Sequence, residues 1–340
     1  VSIGRPLLSM NRGCRPMPQN KGNQLPARAV LRPDGLYLAL RDIGPGELRD
    51  AFMQETVVRV PAAESYVHVA REDIGKAAPD IAPAGLIFHT ARCGSTLISQ
   101  LLKTHDNLVV YAEPLPFNEL LLPPHKWPRQ ELVAALRSLG DAFARHARKP
   151  YVLKFSSWNT LFCEILAEAF PRSPWIFSLR DPVEVGVSLI RRPAGWMRPT
   201  EASSSELGRY VDPDGAAHSP EELVARLYGA FCEAVGRLDA GRGRLVRYET
   251  LPAAVWDVVA PHFSQSIDDA QRARMTQVAR INAKAPIGRA AEFAADATTK
   301  QAAASLELRR AIDAFARPPL QRLESIHAQR VRVRSSQSTG

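Results

Sequence analysis

Residues Gly85 to Leu102 read GLIFHTARCGSTLISQLL. The period of the apolar residues changes inside this stretch. A short apolar strand, Gly85 to Phe88, runs into the turn TARCGST, and a helix with Leu97, Ile98, Leu101 and Leu102 on its inner side begins at once. Strand, glycine turn and helix in immediate succession make a phosphate cradle. Gly94 lets the backbone turn tightly, the amides of Gly94, Ser95 and Thr96 can point at an anion on the helix N-terminus, and Arg92 adds a fixed charge with a planar donor fork. The same residues also read as a plain strand-to-helix turn capped by Ser95. A Walker A loop would carry a lysine after the glycine to reach the outer phosphates, and Ser95 stands in that place. The positive charge comes instead from Arg92, before the glycine. Such a loop suits a nucleotide whose terminal group is less charged than a triphosphate and needs no metal clamp.

Outward from this stretch, from residue 84, short apolar runs alternate with helical stripes, the signature of βαβ units. Strands are expected at Gly85 to Phe88, Leu108 to Tyr111, Tyr151 to Leu153, Trp175 to Leu179 and Arg244 to Val246, with helices between them. Leu161, Phe162, Ile165, Leu166 and Ala169 share one helical face, and Leu132, Leu136 and Phe143 do so less regularly. Helical segments are expected near 220–238, 267–283 and 301–316, with a connection containing Lys and Gly at 284–300. The fold class is α/β, a mainly parallel sheet flanked by helices, spanning residues 83–320. Before it, 29–82 reads as a small β-rich appendage with strands at Leu36 to Leu40, Val57 to Val60 and Tyr66 to Val69 around an amphipathic stretch near Glu47 to Phe52. Residues 194–219 are polar apart from Trp196, Met197 and Tyr210, and such an insertion reads as a lid or a disordered loop.

The 340 residues are 45% hydrophobic and 23% charged, which excludes disorder as the main state. The net charge of +9 raises the question of a nucleic-acid partner, so its location matters. Residues 1–32 carry six cations and no acid, and 317–340 carry five arginines against Glu324, which leaves the body of the chain near neutral. Basic, Pro-, Gly-, Ser- and Gln-containing ends read as solvated tails, 1–28 and 321–340, and argue against a specific nucleic-acid partner. No apolar run is long enough to span a membrane and no secretion signal is legible, so a cytoplasmic protein is expected. Cys14, Cys93, Cys163 and Cys232 are widely spaced and read as free thiols, and the eight histidines show no metal-binding pairing, so no metal is expected.

A second stretch, Trp175 to Arg192, reads WIFSLRDPVEVGVSLIRR. A strand ends at Leu179, Arg180 and Asp181 follow, Pro182 suits the first turn of a helix, and Ser188 lies two turns on. Arg180, at the carboxyl end of a parallel strand, points toward the crevice where such sheets bind ligands. Its alternative is a surface ion pair with Asp181 or Glu184. A kinase reading would put Asp181 on magnesium, with the adjacent arginine competing for it.

Arg92-Cys93-Gly94-Ser95-Thr96 after a strand, then Arg180-Asp181-Pro182 with Ser188, resembles the 5′-phosphosulfate loop and 3′-phosphate motif of sulfotransferases that use 3′-phosphoadenosine 5′-phosphosulfate. The resemblance covers roughly residues 84–250. It implies a P-loop-NTPase-like sheet, Arg92 to Thr96 gripping the sulfate-bearing 5′-phosphate, Arg180 and Ser188 holding the 3′-phosphate, and 3′-phosphoadenosine 5′-phosphosulfate as co-substrate without a metal. In bacterial and tyrosylprotein-type members a carboxylate after the next strand acts as base, and Glu113 of VVYAEP stands there; its alternative is a solvated loop acid. A family lysine that contacts the transferred group matches Lys154 of YVLKFSS, whose alternative is a surface charge. Lys103-Thr104-His105 spells the start of the cytosolic enzymes' catalytic motif but ends the loop helix, so His105 reads as a turn residue; His89, abutting the loop, is a weaker candidate base. Lys284, Pro286, Gly288, Arg289 and Lys300 match the family's late basic segment loosely, and Arg247-Tyr248-Glu249 with Leu251 resembles a structural strand and turn.

The resulting expectation is a sulfotransferase that moves a sulfuryl group to a hydroxyl or amine by in-line displacement, with Glu113, Arg92 and Lys154 in the chemistry. Its acceptor is a carbohydrate, lipid, peptide or small metabolite. The rivals are a degenerate P-loop kinase and a catalytically inactive nucleotide-binding relative.

Overall fold

The computed structural model describes residues 23–75, 82–122, 127–197, 218–280 and 296–337. Its centre is a five-stranded parallel sheet of β4 (Gly85–His89), β5 (Val109–Ala112), β6 (Tyr151–Lys154), β7 (Trp175–Leu179) and β8 (Gly243–Arg247), in the spatial order β5-β6-β4-β7-β8. All five residues of β4 and of β7 are buried, as continuous apolar runs in the middle of a parallel sheet must be. The strand period of two sorts their side chains onto two cores. Leu86, Phe88, Tyr111, Leu153, Trp175 and Phe177 join one, and Ile87, Val110, Val152, Ile176 and Val246 join the other. Helix α2 (Ser95–Leu102) covers the second core together with the helix Asp269–Ala279. Helices α4 (Arg129–Ala147), α5 (Cys163–Ala169) and the helix Pro220–Gly236 cover the first. This is the expected α/β architecture, a parallel sheet flanked by helices, with the first strand of the domain in mid-sheet.

The N-terminal strands β1 (Gln24–Arg32), β2 (Gly35–Asp42) and β3 (Glu64–Ala70) form a separate antiparallel sheet. Of the expected tail 1–28, residues 1–22 lie outside the described residues. Residues 24–28 are strand because Leu25 and Ala27 are buried, and Arg28 pairs with Glu119 of α3 (Leu115–Leu121). Of the expected strand Val57 to Val60, Val57 to Arg59 instead end helix α1 (Met53–Arg59), and Val60 is its C-cap. Asp50 fixes that helix by accepting hydrogen bonds from Thr56 Oγ1 at 2.7 Å and Arg59 Nε at 2.9 Å, while Val58 stays 69% exposed with no strand to pair with. The β-rich unit shares one core with the α/β domain. His146 of α4 bonds the Ile43 carbonyl at 2.7 Å across the two.

The other end is corrected as well. Residues 321–337 are not a solvated tail but belong to the helix Arg317–Gln337. Leu320 and Leu323 sit one turn apart and are buried in the core beside the helix Pro220–Gly236, and Arg322 and Glu324 pair with Glu233 and Arg247. Arginine content hid a narrow apolar stripe. Among the described residues no helix is long and apolar enough to cross a membrane. Cys93, Cys163 and Cys232 are free and buried, as expected, and burial pushes the Cys163 and Cys232 thiols up.

Candidate functional site

Parallel pairing decides which residues meet. Ile87 lies opposite Lys154, Ala112 opposite Lys154, and His89 opposite Ser178, so the chain leaves β4, β5, β6 and β7 along one edge of the sheet. The loop 90–94, Glu113, Lys154 and Arg180 all stand on that edge, where the strand order reverses around β4.

The loop has an unusual backbone. Ala91, Arg92 and Gly94 have φ of 66°, 51° and 84°, three left-handed residues within four positions, of which only the glycine adopts that conformation without steric cost. Its shape is held from below, where Ser178 Oγ donates to the Cys93 carbonyl at 3.1 Å and Thr90 N to the Ser178 carbonyl at 3.1 Å. Gly94 is the N-cap of α2 and offers no side-chain cap, so the reading of Ser95 as a cap does not hold: Ser95 is already inside the helix. The amides at the start of α2 thus keep their donors for an anion. Arg92 Nη2 bonds the Arg192 carbonyl at 2.8 Å. Burial, and then the nearby Arg192, pull its guanidinium below the ordinary value against the opposing pull of Glu113. A cation held this way is short of counter-charge.

Glu113 and Lys154 form an ion pair. Lys154 ends β6 and is 0% exposed, so it is not the surface charge that a strand-end lysine first suggests. Glu113, whose side chain is 28% exposed, adopts φ of 53° and donates its amide to the Lys154 carbonyl at 2.6 Å, which fixes its carboxylate at the cluster. Ser156 Oγ donates to Glu113 Oε2 at 3.4 Å, and Asn118 Nδ2 donates to Ser156 Oγ at 3.2 Å. His89 accepts the Ala91 amide on Nδ1 at 3.2 Å and therefore bonds the Phe155 carbonyl through Nε2–H at 3.0 Å, with Glu113 Oε1 at 4.0 Å. It is a neutral ring bracing the loop. Sequence reasoning missed Phe52, whose ring lies 5.4 Å from the Lys154 ammonium, and no local signal marks it because it comes from the N-terminal unit.

Arg180 is buried, with its guanidinium 3.9 Å over the Tyr248 ring. Its Nε bonds Glu184 at 2.5 Å and its Nη2 bonds Asp296 at 2.7 Å. The surface ion pair considered from the sequence is in fact an interior one, and Asp296 is a partner that the sequence did not reveal. Asp181 caps helix α6 (Pro182–Arg191), accepting from the amides of Val183 at 2.9 Å and Glu184 at 3.3 Å. Ser188 lies one turn beyond Glu184 on the same face, half-buried, with no side-chain partner among the described residues. Tyr248 and Leu251, expected to be structural, pack against the Gly94 backbone and so tie Arg180 to the loop.

His105 is the turn residue it was read as, with Nδ1 accepting from Asn107 N at 3.2 Å and Nε2 on the Ser266 carbonyl at 3.1 Å. Lys103 bonds the Asp50 carbonyl, and burial brings its ammonium down to about 8. Lys284, Pro286, Gly288 and Arg289, and the core of the expected lid, 198–217, lie outside the described residues. Among the described residues no group of three or more His, Cys, Asp or Glu side chains is placed to hold a metal ion.

No family model matches the chain, and no curated protein matches it. Among the solved structures similar to it are sulfotransferases. The sulfotransferase domain of the olefin synthase of Synechococcus PCC 7002 is 17% identical over 71% of this chain and 98% of its own, with a TM-score of 0.42. A sulfotransferase from Alicyclobacillus acidocaldarius is 16% identical over 72% and 96%, with a TM-score of 0.40. Mouse sulfotransferase SULT7A1 complexed with PAP is 11% identical over 69% and 84%, with a TM-score of 0.39.

Proposed function

We propose that this chain is a cytoplasmic sulfotransferase that takes its sulfuryl group from 3′-phosphoadenosine 5′-phosphosulfate. One observation carries the reading. An anion-ready loop without the Walker lysine opens on the same sheet edge as a carboxylate–ammonium pair and a buried arginine one strand away. The loop amides and Arg92 suit the 5′-phosphosulfate, and Arg180 with Ser188 suits the 3′-phosphate.

In the reaction an acceptor hydroxyl or amine attacks sulfur while the bond from sulfur to the bridging phosphate oxygen breaks. Glu113 takes the acceptor's proton, a contribution of about 10²–10⁴-fold. Charge grows on the leaving bridging oxygen, where Arg92 and the loop amides meet it. Lys154 belongs to both halves of the step. Its ammonium is held at the site by Glu113 before reaction, and once Glu113 is protonated it is free to turn to the leaving oxygen.

Calorimetric titration tests the donor. The expected result is metal-independent binding of adenosine 3′,5′-bisphosphate in preference to magnesium-ATP; the reverse preference supports a kinase, and binding of neither removes the reading. Ser188→Ala should weaken the bisphosphate several-fold and leave 5′-AMP unchanged. Glu113→Gln should keep the bisphosphate affinity and lose at least a hundredfold in turnover, and full activity would end its role as base.

A further inference from the structure

Arg180 is both the residue proposed to grip a 3′-phosphate and one of the most enclosed cations in the molecule, with its side chain 3% exposed. An anion reaches its Nε or Nη2 only if a present partner leaves. Its two carboxylate partners differ in how firmly they are held. Glu184 is buried on α6, one turn from Arg180, with Gln301 Nε2 at 3.4 Å from its other oxygen. Asp296 is 46% exposed and meets one cation with each oxygen: Oδ1 lies 2.7 Å from Arg180 Nη2 and Oδ2 lies 2.7 Å from Lys300 Nζ.

Lys300, four residues on, is an ordinary helical ion-pair partner for Asp296, but capping does not account for the direction of its side chain. Asp296 stands at the N-cap of the helix Ala297–Ala302, where an aspartate ordinarily accepts a backbone amide of the first turn. Here the side chain makes no such bond and is turned instead to Arg180 and Lys300. Although burial pushes its carboxyl up, the hydrogen bonds from Lys300 and Arg180 outweigh it and hold the group below the ordinary carboxylate value, so it is anionic at neutral pH. A single-charged carboxylate with one cation on each oxygen has the charge pattern of two oxygens of a bound phosphate.

We propose that Asp296 holds the place of the nucleotide 3′-phosphate between Arg180 and Lys300, and that nucleotide binding exchanges the carboxylate for the phosphate. This rests on the donor reading above and adds a basis for donor selectivity. A 3′-phosphate, with more charge and a third oxygen, displaces Asp296 and takes over both cations. A nucleotide with a bare 3′-hydroxyl cannot replace the ion pair it would break, so it leaves Asp296 in place. Lys300 thereby becomes a 3′-phosphate ligand, reached only through the exchange.

Calorimetry with adenosine 3′,5′-bisphosphate and with 5′-AMP, on wild type and the single variants Asp296→Asn and Asp296→Ala, and on Arg180→Lys/Asp296→Asn against its Arg180→Lys background, tests the exchange. The half-exposed, non-capping position of Asp296 lets both single variants fold, which thermal unfolding checks. Removing the competing carboxylate should tighten the bisphosphate roughly tenfold, leave 5′-AMP within about twofold, and give little gain in the Arg180→Lys background. Equal bisphosphate affinity in wild type and both single variants overturns the exchange while the donor reading stands. Weaker binding in both makes Asp296 a support of the site and also overturns it. No bisphosphate binding by any form, wild type included, overturns the donor reading and the exchange together.

Discussion

The two partners of the Glu113–Lys154 ion pair should cost very different amounts to remove. Lys154 is 0% exposed, so Glu113→Ala leaves a largely enclosed ammonium with no counter-charge, a loss of about 3–5 kcal/mol. Glu113 is itself 28% exposed, so its removal admits some water to the ammonium and puts the expected value near the lower end, about 3 kcal/mol. In Lys154→Met the methionine fills most of the stem's volume, and the surviving Glu113 is 28% exposed with Ser156 Oγ at 3.4 Å. That carboxylate reaches water, and the cost should be about 1–2 kcal/mol. The double variant has neither stranded charge and should be no less stable than Glu113→Ala alone. Urea unfolding at pH 7 reads all three. The reasoning is refuted if Lys154→Met costs as much as Glu113→Ala, or if the double variant shows the sum of the single losses.

The loop and the interior give two further predictions. Gly94→Ala would force a side chain into φ of 84° and put its Cβ 2.6 Å from Leu251 Cδ1 and 3.0 Å from Tyr248 Cδ2, so it should cost about 2–4 kcal/mol and abolish bisphosphate binding; a stable variant that binds would contradict the loop geometry. His146, held neutral mainly by burial at about 4 against 6.5 unfolded, contributes stability that is present above pH 6.5 and lost as the pH falls to 4, about 3 kcal/mol in all. Buried Asp141, raised to about 6 against 3.8, works the other way, because its folded form takes up a proton first and gains stability as the pH falls from 6 to 4. Wild type should therefore change little between pH 6 and 4, His146→Gln should gain stability over that interval and Asp141→Asn should lose it, all read from urea midpoints.

Where the sequence misled, the cause lay in contacts and backbone geometry outside the segment being read. Val57 to Val60 have strand chemistry, but Val57 to Arg59 sit in a helix whose fixing contacts run to Asp50 and whose outer face meets water. The arginines of 317–337 look like a tail because the two leucines that dock the helix are outnumbered, and only the facing helix gives them a partner. Ser95 looked like a cap, but the loop's three left-handed residues push the cap position back to Gly94.

By itself the sequence determined the strand–loop–helix of 85–102 and the five parallel strands, because each follows from local periodicity within one element, while Arg92 to Thr96, Glu113, Lys154, Arg180 and Ser188 were singled out by the resemblance of its motifs. The tertiary structure alone decided what those residues touch. Strand order and register bring Glu113 onto Lys154 from 41 residues away, and chain folding brings Asp296 onto Arg180 from 116 residues away. Burial then sets the energetics of both pairs, since the strength of a charge–charge contact depends on the water excluded around it, and no property of the linear chain specifies that.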